Sequence, residues 1–196
     1  GEDLGWPAWI IGDGMMASLQ MFFAESLIRY WVVQDPSFNS LTFDPNSYLA
    51  QLADVAQTLD ASFDLKSFFA RQGKMILVHG TSDWAISYKG SIKYWNNVAA
   101  AVGSAATRDE SMEFYLQPGV QHCFGGVGPD SVDLVSAVDG WVTRGQRPSA
   151  ANLVSKKYDM SGVVTMERPL CRYPQYPRYN GTGDQKVAAS YTCTSP

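Results

Sequence analysis

The spacing of apolar positions divides the chain into stretches of different character. Over residues 15–33 apolar side chains recur at Met16, Leu19, Phe23, Leu27 and Tyr30 or Trp31. That spacing predicts a buried or interfacial helix with a broad apolar face. Gln34-Asp35-Pro36 ends it, because the residue before a proline is pushed out of the α region. Ahead of it, Gly5-Trp6-Pro7-Ala8-Trp9 is punctuated like a loop. Asp44-Pro45 reads as a helix start, with Asp as cap and Pro at the first helical position. Leu49, Leu52, Ala56 and Leu59 then line one face, and Asp64 is placed to cap a shorter helix through Phe69 and Arg71.

The pattern changes at Gly73. Met75-Ile76-Leu77-Val78 is a short continuous apolar run, as expected of a strand covered on both faces. Gly80-Thr81-Ser82-Asp83 breaks it, and a helix is predicted over 90–102, with Ile92, Trp95, Val98 and Ala99 on one side. A second strand is predicted over 112–116, ended by Pro118-Gly119. A loop with His122, Cys123, Gly125, Gly126 and Gly128 follows. Another helix is predicted over 129–142, carrying Val132, Val135, Val138 and Val142. Strand, loop and helix, twice over, predict the edge of a parallel α/β sheet, and two strands are too few to be the whole of it. Beyond residue 145 the periodicity fades and Pro, Tyr and Gly become frequent, which predicts an extended tail lying across a surface.

Composition narrows the function classes. A chain of 196 residues suffices for one domain with a real core. The formal charge of −4, with Lys and Arg scattered, argues against nucleic acid as a partner. No apolar run approaches the roughly 20 residues that span a bilayer, so no membrane partner is expected. Aromatics at 13% suit a large core, an interface or an aromatic-binding pocket, and all three readings stand. Gly1 to Gly5 do not form a signal peptide, so the expectation is either a processed secreted protein or a chain that begins within a longer precursor. Three cysteines (Cys123, Cys171 and Cys193) leave one to seek a partner elsewhere if the protein is secreted. Asn180-Gly181-Thr182 is a glycosylation sequon.

Two side chains carry candidate chemistry. Asp83 lies just past the first predicted strand and His122 just past the second. In open α/β sheets the ligand crevice lies at that end of the strands. A carboxylate there can hold one imidazole nitrogen in its protonated form, leaving the other to act as a general base. The order acid then histidine matches the second half of the order Ser, Asp, His in α/β-hydrolases. His79 competes, but it sits within the same turn as Asp83 and reads as structural. No serine has the small neighbours that a nucleophile elbow needs: Ser82 has Gly80 two residues before it, but Asp83 beside it and Trp84 two residues after it. Cys123 adjoins His122 directly, a poor arrangement for proton transfer between the two. Two histidines and three dispersed cysteines give no metal-ligand spacing.

Three motifs in order give the chain a recognisable signature. They are Val78-His79-Gly80-Thr81-Ser82-Asp83-Trp84-Ala85-Ile86-Ser87, then Pro118-Gly119-Val120-Gln121-His122-Cys123-Phe124-Gly125-Gly126, then Arg168-Pro169-Leu170-Cys171-Arg172-Tyr173-Pro174 with Tyr179 to Asp184 and Tyr191-Thr192-Cys193. Together they resemble the tannase/feruloyl esterase family, over most of the chain from about Phe38.

The resemblance implies an α/β fold, with this chain as the C-terminal part of an α/β-hydrolase sheet and its flanking helices. Residues 1–40 would be the end of a lid region with its helix, 41–145 the catalytic-domain part, and 146–196 a disulfide-stapled extended tail. It implies a secreted or periplasmic hydrolase of aromatic-acid esters, feruloyl esterase-like, with tannase and terephthalate-monoester hydrolase as alternatives within the family. Asp83 would be the acid and His122 the base, with the serine outside this chain. Cys171 would pair with Cys193, and Cys123 with a cysteine beside that serine, so the implied partner is a serine-bearing N-terminal portion of the same precursor. Ile86 and Trp9 would contact a small aromatic ester, and Asn180 would carry a glycan. No cofactor is implied in this chain; calcium belongs to the part of the lid it lacks. The reading from another class is a non-catalytic fragment or binding partner without a nucleophile.

Overall fold

The computed structural model describes residues 5–12, 14 and 18–196, which form two compact units that divide at Ser62. In the N-terminal unit a π-helical turn spans Trp6–Ile11, so the loop expected there is helical instead. Pro7 sits in its first turn, where the missing amide costs no hydrogen bond. Helix α1 (Leu19–Leu27) runs on as a wider turn, Ile28–Val32. Ser18 caps it, its hydroxyl accepting from the Met21 amide at 3.2 Å. The predicted helix is therefore present from Leu19, whereas Met15 and Met16 lie outside the described residues. Asp44 accepts from the Asn46 amide at 3.0 Å and opens a 3-10 turn, Pro45–Tyr48, which leads into α2 (Leu49–Leu59).

The unit from Phe63 onward is built on two parallel strands, β1 (Met75–Gly80) and β2 (Met112–Gln117), in register from Met75 beside Met112 to Gly80 beside Gln117. Alternation sends side chains to opposite faces. Met75, Leu77, Met112 and Phe114 pack with Trp95, Val98 and Val102 of α4 (Tyr88–Val102). Ile76, Val78 and Tyr115 pack with Leu153 and Leu170, together with Val132, Leu134 and Ala137. Both faces are covered, which is why β1 reads as an unbroken apolar run.

Several boundaries differ from the sequence reading. A short α3 (Lys66–Ala70) follows Asp64, whose carboxylate accepts from the Lys66 amide at 3.1 Å. Helix α4 starts at Tyr88, because the Ser87 hydroxyl caps it. A helix of five residues, α5 (Ala105–Asp109), was too short for its periodicity to register. Helix α6 is Leu134–Arg144 rather than starting at Pro129. Asp133 is its cap, accepting from the Ser136 amide at 2.9 Å. Ahead of it the Ser131 amide donates to the Lys156 carbonyl at 2.9 Å, and the Lys156 amide donates to the Ser131 carbonyl at 2.8 Å.

The tail is more ordered than its composition predicts. It folds into one antiparallel hairpin, β3 (Val154–Tyr158) with β4 (Val164–Pro169), and a second pair, β5 (Tyr176–Tyr179) with β6 (Tyr191–Thr194). A disulfide joins Cys171 to Cys193, with their Cα atoms 5.4 Å apart. Charge anchors the tail to the sheet. Glu113 on β2 is fully buried and pairs with Arg147 and, at 2.6 Å, with Arg172. Arg172 also reaches Asp109 at 2.8 Å. A buried carboxylate held by two guanidinium groups is compensated; with neither it would be strongly unfavourable.

Candidate active site

The strand ends of β1 and β2 carry the candidate residues into one cleft of about 490 Å³, bordered by His79, Asp83, Ile86, His122, Val132 and Leu134 among others. After β1 the chain turns sharply. Gly80 is required there, since a Cβ would lie 2.3 Å from the Val120 carbonyl oxygen. That close approach brings the two loops together. The Ser82 amide donates to the Val120 carbonyl at 3.0 Å, and the Gly119 amide to the Thr81 hydroxyl at 3.2 Å.

Asp83 then folds back on its own loop. Its Oδ1 accepts from the amides of Ala85 at 2.8 Å and Ile86 at 2.9 Å. Its Oδ2 lies 2.8 Å from Nδ1 of His122. Burial pushes the Asp83 carboxyl up, but the Ile86 amide, the His122 ring and the Ala85 amide outweigh it and hold the group below the ordinary carboxylate value. A charged Asp83 can only accept, so His122 carries its proton on Nδ1, and Nε2 is the nitrogen through which the ring can act as a base.

His122 stands on a loop held from several sides. Gly126 there has φ 89°, and a Cβ on it would meet the Gly119 carbonyl oxygen at 2.2 Å. The Gln121 amide donates to the Gly125 carbonyl at 3.2 Å, and the Gly125 amide to the Asp130 carboxylate at 2.7 Å. From the tail, Lys157 donates to the Gly126 carbonyl. Ser155 donates to the Pro129 carbonyl at 2.6 Å, and Gln117 at the end of β2 donates to Ser155 at 3.0 Å. Nothing in the sequence pattern singles out Ser155 or Lys157, because their partners are distant backbone carbonyls.

The other residues named from the sequence fall as follows. Ile86 borders the cleft and is 59% exposed. Cys123, next to His122, is an exposed thiol with φ 52° and also borders the cleft. Trp9 belongs to the N-terminal unit, where its ring stacks on Phe23 with centroids 6.2 Å apart. Asn180 is exposed, and its side-chain oxygen accepts from the Thr192 hydroxyl at 2.7 Å. His79, read as structural, also touches the candidate pair: its Nε2 is 3.3 Å from Asp83 Oδ2. Among the described residues no group of three or more His, Cys, Asp or Glu side chains is placed to hold a metal ion.

Asp83 and His122 thus meet past the adjacent ends of two parallel strands, within a fold that is α/β-hydrolase-like. The sequence model for tannase and feruloyl esterase matches residues 2–194, and the chain belongs to that family. The mono(2-hydroxyethyl) terephthalate hydrolase of Piscinibacter sakaiensis is 40% identical over 135 residues, covering 69% of this chain and 22% of that protein. A probable feruloyl esterase of Arthroderma benhamiae is 30% identical over 191 residues, covering 93% of this chain and 35% of that protein. The crystal structure of feruloyl esterase B from Aspergillus oryzae superimposes with a TM-score of 0.76 at 25% identity, over 87% of this chain and 36% of that one. The chain thus spans between 22% and 36% of the length of these three proteins.

Proposed function

We propose that this chain supplies the acid and the general base of a serine carboxylic-ester hydrolase acting on esters of aromatic acids, with the serine on a portion outside this chain. The observation that carries the reading is the 2.8 Å bond from His122 Nδ1 to an Asp83 carboxylate whose other oxygen is already held by two amides. In the reaction the serine hydroxyl attacks the ester carbonyl and His122 Nε2 takes its proton. The same nitrogen then protonates the departing alkoxide. Water, deprotonated by His122, releases the aromatic acid from the acyl-enzyme. Asp83 keeps the ring in its tautomer and stabilises the imidazolium formed at each proton transfer. Ile86, beside Asp83 and facing solvent, offers an apolar wall for the aromatic acyl group.

Cys123 bridges to a cysteine of the serine-bearing portion, a role supported by its exposed thiol. The Cys171–Cys193 disulfide supports a secreted or periplasmic setting, where such bonds persist. A terephthalate monoester as substrate is a second reading, favoured by the 40% identity to the Piscinibacter enzyme against 30% to the Arthroderma feruloyl esterase.

The test is hydrolysis of methyl ferulate and of a terephthalate monoester by this chain alone and by the chain together with its serine-bearing portion. The chain alone turns over neither ester, and the assembled protein turns over at least one. Turnover by the pure chain alone would place the nucleophile within it and overturn the assignment.

A further inference from the structure

The second histidine is built into the site as well, beside the same Asp83 oxygen that His122 meets. His79, the penultimate residue of β1, has a side chain only 13% exposed. Its Nε2 lies 3.1 Å from the Ile86 carbonyl oxygen and 3.3 Å from Asp83 Oδ2. Both are acceptors, so Nε2 carries the ring proton. Its Nδ1 lies 2.7 Å from the Ser91 hydroxyl, which donates to it when the ring carries a single proton. Ser91 stands on α4, the helix whose Trp95 and Val98 are packed into the core. A chain of polar contacts therefore runs from a fixed helix, through His79, to the acid loop.

We propose that His79 is a positioning residue for the Asp83–His122 pair. Anchored by Ser91, its Nε2–H holds the Ile86 carbonyl and flanks Asp83 Oδ2, fixing the carboxylate that selects the tautomer of His122. The inference rests on reading that pair as acid and base.

The geometry supplies the reason. The Ile86 peptide is gripped at both ends: its amide donates to Asp83 Oδ1 at 2.9 Å and its carbonyl accepts from His79. Without His79 the carbonyl end is released, and the turn that aims Asp83 loses its hydrogen-bonded tie to Ser91 on α4. Asp83 could then rotate about its Cβ–Cγ bond, and the bond to His122 would be made part of the time. Free imidazole favours the Nε2–H tautomer, so the Nδ1–H form of His122 persists only while Asp83 stays in place. A ring of merely structural use would affect folding and leave that tautomer untouched.

Because the chain has two histidines, its ring nitrogens can be read directly by long-range proton–nitrogen NMR on 15N-histidine-labelled chain. In the unmodified chain one ring is expected as Nε2–H (His79) and the other as Nδ1–H (His122). His79→Leu shifts His122 from a fixed Nδ1–H form to a mixture dominated by Nε2–H. His79→Gln, whose amide can still donate to the Ile86 carbonyl, restores it. Ser91→Ala, a milder change that keeps both rings, leaves His79 as Nε2–H but unties it from α4, and lowers the Nδ1–H population of His122. A His122 that stays wholly Nδ1–H in folded His79→Leu, or in Ser91→Ala if the leucine variant does not fold, overturns the proposal. The tautomers are read without any substrate. If hydrolysis proves independent of Asp83 and His122 while the tautomers respond, the catalytic reading fails and the clamp stands. If the tautomers do not respond, the clamp fails alone.

Discussion

Asp83 and Asp109 are both held below the ordinary carboxylate value, though in different surroundings. At Asp109 burial pushes the carboxyl up, and the bonds to Arg172 and Arg108 more than reverse it. A carboxylate depressed in the folded protein stabilises it above the unfolded value of about 3.9, and that contribution is lost as the pH falls through the folded value. Stability is therefore expected to be level above about pH 5 and to decline in acid. Asp109→Asn removes one of the groups responsible, so a plot of Tm against pH should have a shallower acid limb than that of the parent chain. An unchanged limb would mean that Asp109 binds its proton equally in both states. At the same scale, Asp83 and His122 were both legible in the sequence, since each follows a strand signal directly. The contact of His79 with Asp83 was not, because a residue four positions away reads as part of the same turn until the side-chain geometry is seen.

Among the elements, β1, α4 and β2 were plain from periodicity, because one unbroken apolar run and one amphipathic helix feed the same two-faced core. The tail was not. Its strands are short, and β3 and β4 together carry Ser155, Lys156, Lys157, Glu167 and Arg168, so no clean apolar alternation marks them. What orders them is pairing with distant groups: Ser131 with Lys156, and Arg172 with Glu113. The same long-range pairing explains why α6 begins at Leu134, as the preceding residues are claimed by β3. Lys157 on β3 donates to the Gly126 carbonyl in the His122 loop, so Lys157→Met removes a support of that loop without touching His122. Misplacement of a reacting group by about 1 Å can cost on the order of 100-fold. We expect kcat in the assembled enzyme to fall by about 10-fold to 100-fold with KM little changed. An unaltered kcat would show that the hairpin does not hold the loop in its working position.

At the scale of the whole molecule, the two parallel strands with helices and tail on their faces superimpose on part of a longer protein, feruloyl esterase B, of which they cover 36%. Membership of the family was legible from three motifs whose residues meet in space. The particular acyl group is not encoded in those motifs, because they build the Asp83 and His122 loops and the tail. Cys171 and Cys193 are joined within the chain, leaving Cys123 as the thiol available to a partner. Intact mass of the native material is expected to fall to that of this chain on reduction, with release of the serine-bearing portion. An identical chain mass before and after reduction, apart from the protons gained at Cys171 and Cys193, would contradict a covalent partner at Cys123.

Catalysis as proposed depends most directly on the bond between Asp83 and His122, and one substitution addresses it. Asp83→Asn keeps the size of the side chain but can present an amide to His122 and favour the wrong tautomer. Steady-state hydrolysis of an aromatic ester by the assembled protein should then show kcat reduced by about 10⁴-fold, as for the acid of comparable triads. KM should stay close to that of the parent. A kcat within a fewfold of the parent would contradict the assignment of Asp83 as the acid that orients the base.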